Sequence, residues 1–194
     1  MSSSSAPTRP EGSPPAGRFA PSPSGDLHLG NLRTALLAWL AARSTDRRFV
    51  LRIDDLDRVQ PGAAERQLDD LEALGIDWDG PPVRQSDRGA SYTAAIDQLI
   101  TAGLTFPCFC TRREIHEAPS APHSPPGSYP GTCRGLAADE IGERAAERPA
   151  ALRLRAQVAE FTIQDLRHGT VTGVVDDFVL MRNDGVPAYN LTTV

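Results

Sequence analysis

The sequence has no lysine. All twenty of its basic residues are arginine, so no role that calls for a lysine ammonium can be filled within it. Cysteine is nearly as scarce: three residues, an odd number, and no secretory signal. That argues against a disulfide framework and directs attention to a metal or to free thiols. Long apolar runs are also missing. Nothing approaches the roughly 20 residues needed to cross a bilayer, so no membrane partner and a cytoplasmic location are expected. The opening residues 1–16, MSSSSAPTRPEGSPPA, hold Ser and Pro with no apolar segment, which predicts a disordered leader and not a signal peptide. Finally, there is no excess of positive charge. The formal net charge is −5, which does not favour general nucleic-acid binding but leaves room for a local basic patch.

At 194 residues the chain can bury one ordinary core and carry a smaller inserted lobe. After Leu29 the residues Leu32, Leu36, Leu37 and Leu40 recur at helical spacing, with Ala35, Ala38, Ala41 and Ala42 between them, predicting a helix over 29–43. RFVLRI at 48–53 suits a buried strand. Strand, helix and strand in that order make a parallel α/β unit with a right-handed connection. Further helices are predicted over 63–74, with Leu68, Leu71 and Leu74 on one face, and over 92–102, with Ile96, Leu99 and Ile100; Gly75 and Gly103 stand where C-terminal caps belong. From Phe106 to Arg134 the composition turns to cysteine, proline and glycine without periodicity, as in an insertion. Beyond it, 151–156 and 173–184 alternate like strands. The expected fold is α/β with a Rossmann-like sheet and a ligand site at its strand ends. Its segments would be the leader (1–16), a first half-domain (17–105), the insertion (106–134), and a stretch (135–194) that completes the insertion and returns to the domain.

The segment Arg18 to Asn31, RFAPSPSGDLHLGN, has the layout of a nucleotide site. Pro21 and Pro23 fix φ and keep the chain out of a helix, and Gly25 gives freedom at the bend. Asp26 is a candidate N-cap. A helix starting near His28 would turn unpaired N–H groups and its dipole toward the loop, where phosphate oxygens fit. A simple capped helix after a proline-rich loop would also explain Pro, Gly and Asp, but not His28, Gly30 and Asn31 together. Farther on, Cys108 and Cys110 are one residue apart and Cys133 follows. Three thiolates leave a structural zinc one ligand short, and His116, His123 and Tyr129 are the candidates for the fourth.

RFAPSPSGDLHLGN resembles the first signature of the class I aminoacyl-tRNA synthetases of the glutamate type, and LRIDDLDR, LGIDWDG, QSDR and DFVLMRNDGVPAYNL follow in that family's order. The resemblance implies an ATP site made by Pro21, Ser22, Gly25, His28, Gly30 and Asn31, with His28 and Asn31 acting on the phosphates. It implies a glutamate site made by Arg18, Phe19, Ala20, Pro21, Ser22, Asp54 and Tyr189. Arg18 would pair a carboxylate in bidentate fashion. Asp54, where the family usually has glutamate, would meet the substrate ammonium from one methylene farther away, directly or through water. Asp55 and Asp57 are expected to be structural or capping groups. The pairing of Cys108-Phe109-Cys110 with Tyr129-Pro130-Gly131-Thr132-Cys133 resembles the zinc pattern of the glutamyl-queuosine tRNA(Asp) synthetases, a truncated branch of the same family, and implies Cys108, Cys110, Tyr129 and Cys133 as zinc ligands.

What this resemblance implies is a two-step reaction. Glutamate is activated by ATP with Mg²⁺ to glutamyl-adenylate, and the glutamyl group then moves to the queuosine of tRNA(Asp). Positioning and charge stabilisation would carry most of the first step. The family's second signature, a Lys-Met-Ser-Lys-Ser loop, is missing along with every other lysine, so the expectation is a piece of a longer protein that lacks the lysine loop on which full activity rests. The alternatives are a fragment of a glutamyl-tRNA synthetase, or an inactive paralogue that binds adenylate or tRNA.

Overall fold

The computed structural model describes residues 15–118, 128–165 and 167–192. Most of the expected leader, and His123, lie outside them. The chain divides into two compact units, one ending at Asp87 and the other starting at Arg88.

In the first unit, β1 (Ala16–Phe19), α1 (Leu29–Arg43), β2 (Arg48–Ile53), α2 (Ala63–Ala73) and β3 (Val83–Arg84) alternate, and a 3₁₀ turn starts at Gln85. The strands form a parallel sheet in the order β1-β2-β3, with Phe19 opposite Leu51 and Ile53 opposite Arg84. β1 already holds Ala16, one residue inside the expected leader. Phe19, Phe49, Leu51, Leu71 and Ile76 make the core with Ala35 and Ala42 of α1. The leucine stripe predicted for α1 is not its main buried face: Leu36 and Leu40 are 43% and 46% exposed, while Ala35 and Ala42 are sealed. Gly17 explains the choice of small residues. A Cβ there would lie 2.8 Å from the Cβ of Ala42, so helix and strand approach too closely for leucine between them.

The same correction applies to α2. Ala63, Gln67 and Leu71 form its buried row, Leu68 packs at the margin, and Leu74 is an exposed C-cap. Gly75 follows with φ of 73°, as a helix stop requires. The LGIDWDG segment ties the unit together. Asp79 accepts from the Phe49 amide (2.7 Å) and from Arg43 (2.6 Å), and Asp77 accepts from the Trp39 indole (2.7 Å).

The second unit contains α3 (Gly89–Thr101), β4 (Thr105–Cys108), α4 (Arg112–Glu117), α5 (Ala138–Glu147), β5 (Ala151–Leu154), β6 (Glu160–Asp165), β7 (Gly169–Val174), β8 (Val179–Met181) and α6 (Tyr189–Thr192). β4, β5 and β8 form an antiparallel sheet, and β6 pairs with β7 in a separate hairpin. α3 begins three residues before the expected helix. The strand predicted over 173–184 is broken: its start closes the hairpin and its end joins β5. Asp177 forces the break. Its buried carboxylate accepts from the Ala156 amide (2.8 Å) and pairs with Arg134, and its carbonyl accepts from Arg153 (2.7 Å). A straight strand could not direct all of these inward. Phe106, Cys108, Phe109, Tyr129 and Cys133 form a small core of their own, bordered by Ile115, Leu136 and Ile141.

Candidate active site and metal centre

β1 ends at Phe19, whose ring is buried in the core, so only its backbone can reach a ligand. The loop that follows is held by its own carbonyl oxygens. Pro21 accepts from the Asp54 amide (2.9 Å), Pro23 from the Gln60 amide (2.8 Å), and Ser22 from the Ser24 amide (2.8 Å). Gln67 then donates its side-chain amide to the carbonyls of both Ser22 (3.1 Å) and Gly25 (2.6 Å). Pro23 is fully buried among these contacts. Sequence reasoning missed Gln67; a polar residue at the centre of an otherwise apolar helix row was the available signal.

The N-cap of α1 is His28 and not Asp26, whose carboxylate instead pairs with Arg66 (2.7 Å). His28 has extended backbone, and its Nδ1 accepts from the amides of Gly30 (3.0 Å) and Asn31 (3.4 Å). Asn31 Oδ1 accepts in return from the His28 amide (3.2 Å), closing a capping box. Two consequences follow. The Gly30 and Asn31 amides, expected to face a phosphate, are occupied by the imidazole. With Nδ1 an acceptor, the neutral ring carries its proton on Nε2 and keeps that one donor for a ligand. Gly30 makes this possible: a Cβ there would lie 2.9 Å from the imidazole Cε1.

Arg18 and Ser22 are exposed, and Arg18 sits on the strand face opposite Phe19. Asp54, just beyond β2, is buried and already paired. Arg52 grips it in bidentate fashion (2.7 and 3.2 Å), and Gln85 adds a third donor at 3.2 Å. An ammonium reaching Asp54 would share a carboxylate whose charge Arg52 has matched. Asp55 is structural, as expected: it accepts from the amide (2.9 Å) and hydroxyl (2.7 Å) of Ser86 and so anchors the QSDR turn. Tyr189, in the other unit, opens α6 with its side chain mostly exposed.

The second unit gathers Cys108, Cys110 and Cys133, whose Sγ atoms all lie within 4.8 Å of one another. Cys110 and Cys133 are 3.6 Å apart, and the Tyr129 hydroxyl lies 3.4 Å from the Cys108 sulfur. Tetrahedral zinc with its usual bond lengths spaces sulfurs about 3.8 Å apart. The same hydroxyl accepts from the Cys133 amide at 2.8 Å. His116 is exposed on α4 and outside the thiol group. Burial pushes the Cys110 thiol up to about 12, with neighbouring Cys108 and Cys133 adding to it, and raises the Tyr129 phenol in the same way. Cys133 goes down despite burial, because the Phe109 amide, the Tyr129 hydroxyl and the other thiols donate to its thiolate. Cys110 and Tyr129 hold their protons until a cation replaces them, whereas Cys133 gives its proton up more readily, and three clustered sulfurs fit a thiophilic divalent ion.

The chain belongs to the tRNA synthetases of class I (E and Q), whose catalytic domain it matches over residues 16–194. A glutamyl-Q tRNA(Asp) synthetase from Nocardia farcinica is 65% identical over 180 residues, covering 92% of this chain and 58% of the relative. One from Cutibacterium acnes is 57% identical, with 92% and 52% covered. A glutamate tRNA ligase from Elizabethkingia meningosepticum, solved in complex with its amino acid, superposes with a TM-score of 0.73 at 30% identity, covering 92% of this chain and 40% of that one. The chain thus spans a little more than half the length of the curated relatives it matches.

Proposed function

We propose that the protein to which this chain belongs is a cytoplasmic enzyme that activates L-glutamate with ATP and Mg²⁺ and transfers it to queuosine in the anticodon of tRNA(Asp). The observation that carries this reading is the 65% identity to a glutamyl-Q tRNA(Asp) synthetase across 92% of the chain; the Tyr129 hydroxyl beside the cysteine cluster agrees with it.

In the first step the glutamate α-carboxylate attacks the α-phosphorus of ATP, and the bond to pyrophosphate breaks. His28 donates from Nε2 to a phosphate oxygen, and Asn31 holds the histidine backbone in place. The loop from Ala20 to Gly25 supports the nucleotide, with Pro21, Ser22 and Gly30 lining it. Arg18 pairs the substrate carboxylate beside Ser22. Asp54, oriented by Arg52 and Gln85, meets the ammonium. Cys108, Cys110, Tyr129 and Cys133 would hold a structural zinc, which would fix the small core that they share with Phe106 and Phe109. In the second step a hydroxyl of the queuosine cyclopentenediol attacks the glutamyl carbonyl and AMP leaves.

The test is glutamate-dependent ATP–pyrophosphate exchange without tRNA by the complete gene product, followed by transfer of labelled glutamate. Exchange, then labelling of queuosine-containing but not queuosine-lacking tRNA(Asp), is expected. Labelling of tRNA(Glu) would assign a glutamyl-tRNA synthetase instead. Adenylate or tRNA binding without exchange would assign an inactive paralogue.

A further inference from the structure

We infer that Gln67 is a positioning residue that sets the shape of the substrate loop, a role whose catalytic meaning rests on the function proposed above. Gln67 is 3% exposed, in the middle of the buried row of α2, where Ala63 and Leu71 are apolar. Its Nε2 donates to the carbonyls of Ser22 and Gly25, three residues apart on the loop. One amide therefore fixes both ends of the Ser22-Pro23-Ser24-Gly25 bend. The neighbouring backbone contacts cannot do this, since the Asp54 and Gln60 amides each hold a single carbonyl.

The orientation of the amide is determined. Turned around, Oε1 would face two carbonyl oxygens and both bonds would become repulsions. The orientation has a consequence: Oε1 is buried without a hydrogen-bond partner. A buried unsatisfied acceptor is destabilising, and natural interiors carry few. Methionine would fill similar space with no orphaned side-chain atom, but would leave the Gly25 carbonyl without this donor. Glutamine at this position therefore serves loop geometry at some expense of stability, which is the pattern of a residue held for a site. Three residues after Gly25 stands His28, so the bend fixed by Gln67 also sets where the imidazole emerges.

Wild type, Gln67→Met and Gln67→Glu are compared by amide hydrogen exchange and by calorimetric titration with Mg²⁺–ATP. In Gln67→Met, exchange over residues 22–28 should rise tenfold or more while β2 and the second half of α1 stay within twofold, and ATP affinity should fall tenfold or more. Gln67→Glu should match Gln67→Met at pH 8, where the carboxylate cannot donate, and recover part of the protection at pH 5, where a protonated carboxyl supplies one bond. A protected Gln67 side-chain amide in wild type, read by NMR, tests the clamp without any variant. An unprotected amide, or a loss spread evenly over the first unit in Gln67→Met, overturns the inference. Protected loop and side-chain amides in a wild type that binds no ATP would refute the proposed function while supporting the clamp.

Discussion

His28 has two separable jobs, and two substitutions at this position distinguish them. Nδ1 caps α1 by accepting from Gly30 and Asn31, while Nε2 is the ring's remaining donor. Alanine removes both. Asparagine places an acceptor oxygen where Nδ1 stands and ranks among the best N-caps, but has nothing at the reach of Nε2. Loss of the cap costs about 1 kcal/mol, which in a chain of this size lowers Tm by about 2–4 °C. Loss of a hydrogen bond to a charged phosphate costs about 1.5–3 kcal/mol, or about 10- to 150-fold in affinity. His28→Ala should therefore lose Tm and ATP affinity together. His28→Asn should keep Tm within about 1 °C of wild type and lose only the affinity. Differential scanning calorimetry and isothermal titration with Mg²⁺–ATP read the two quantities on the same samples. The reasoning is refuted if His28→Asn binds ATP as wild type does, because the histidine would then be a cap and nothing more.

The other predictions concern the scaffold. Protein purified without chelators should contain about one zinc per chain by metal analysis; chelation should melt the core around Phe106 and Tyr129, since zinc binding and folding are coupled in such small lobes, and a content near zero that added zinc does not change would exclude the site. Gly17→Ala sets a methyl group 2.8 Å from Ala42 Cβ and should destabilise by about 1–3 kcal/mol, seen as a lower denaturation midpoint; an unchanged midpoint would show that α1 can retreat from β1. The Thr111 amide, helped by Arg148, holds the Glu114 carboxyl at about 2 against an ordinary 4.5. A depressed folded value contributes stability that is present above the ordinary value and is lost as pH falls toward about 2. Glu114→Gln should remove that part of the acid sensitivity, and an NMR titration midpoint for Glu114 at or above the ordinary value would contradict the assignment.

Apolar spacing located α1, α2 and the strand at 48–53, because burying one face of an element leaves a periodic trace that does not depend on its neighbours. The same trace could not say how near those neighbours come. Leu36 and Leu40 looked like the inner face of α1 until Gly17 brought the strand against Ala35 and Ala42. The run at 173–184 misled for a related reason: Asp177 is polar in the sequence yet buried in the fold, where Ala156, Arg134 and Arg153 satisfy it. Partners that lie about 20 to 40 residues away give no local signal.

The site shows the same division more sharply. Motif likeness brought Arg18 to Asn31 and the cysteines to attention, and the chain does assemble Cys108, Cys110, Tyr129 and Cys133. What it could not convey was which atoms remain available. Helix N–H groups counted as phosphate ligands are satisfied by His28, and Asp54, counted as an ammonium ligand, is already gripped by Arg52. In both cases pairing decides what remains for a substrate, since a buried or terminal polar group is satisfied by whatever lies nearest before any substrate arrives. If Asp54 is charge-matched, the ammonium must gain from orientation more than from net charge, so Arg52→Met should do more than weaken glutamate binding. It leaves a buried carboxylate unpaired, which costs about 3–5 kcal/mol, and loss of fold should accompany loss of binding. A stable Arg52→Met chain that binds glutamate more tightly would show instead that Arg52 competes with the substrate for Asp54.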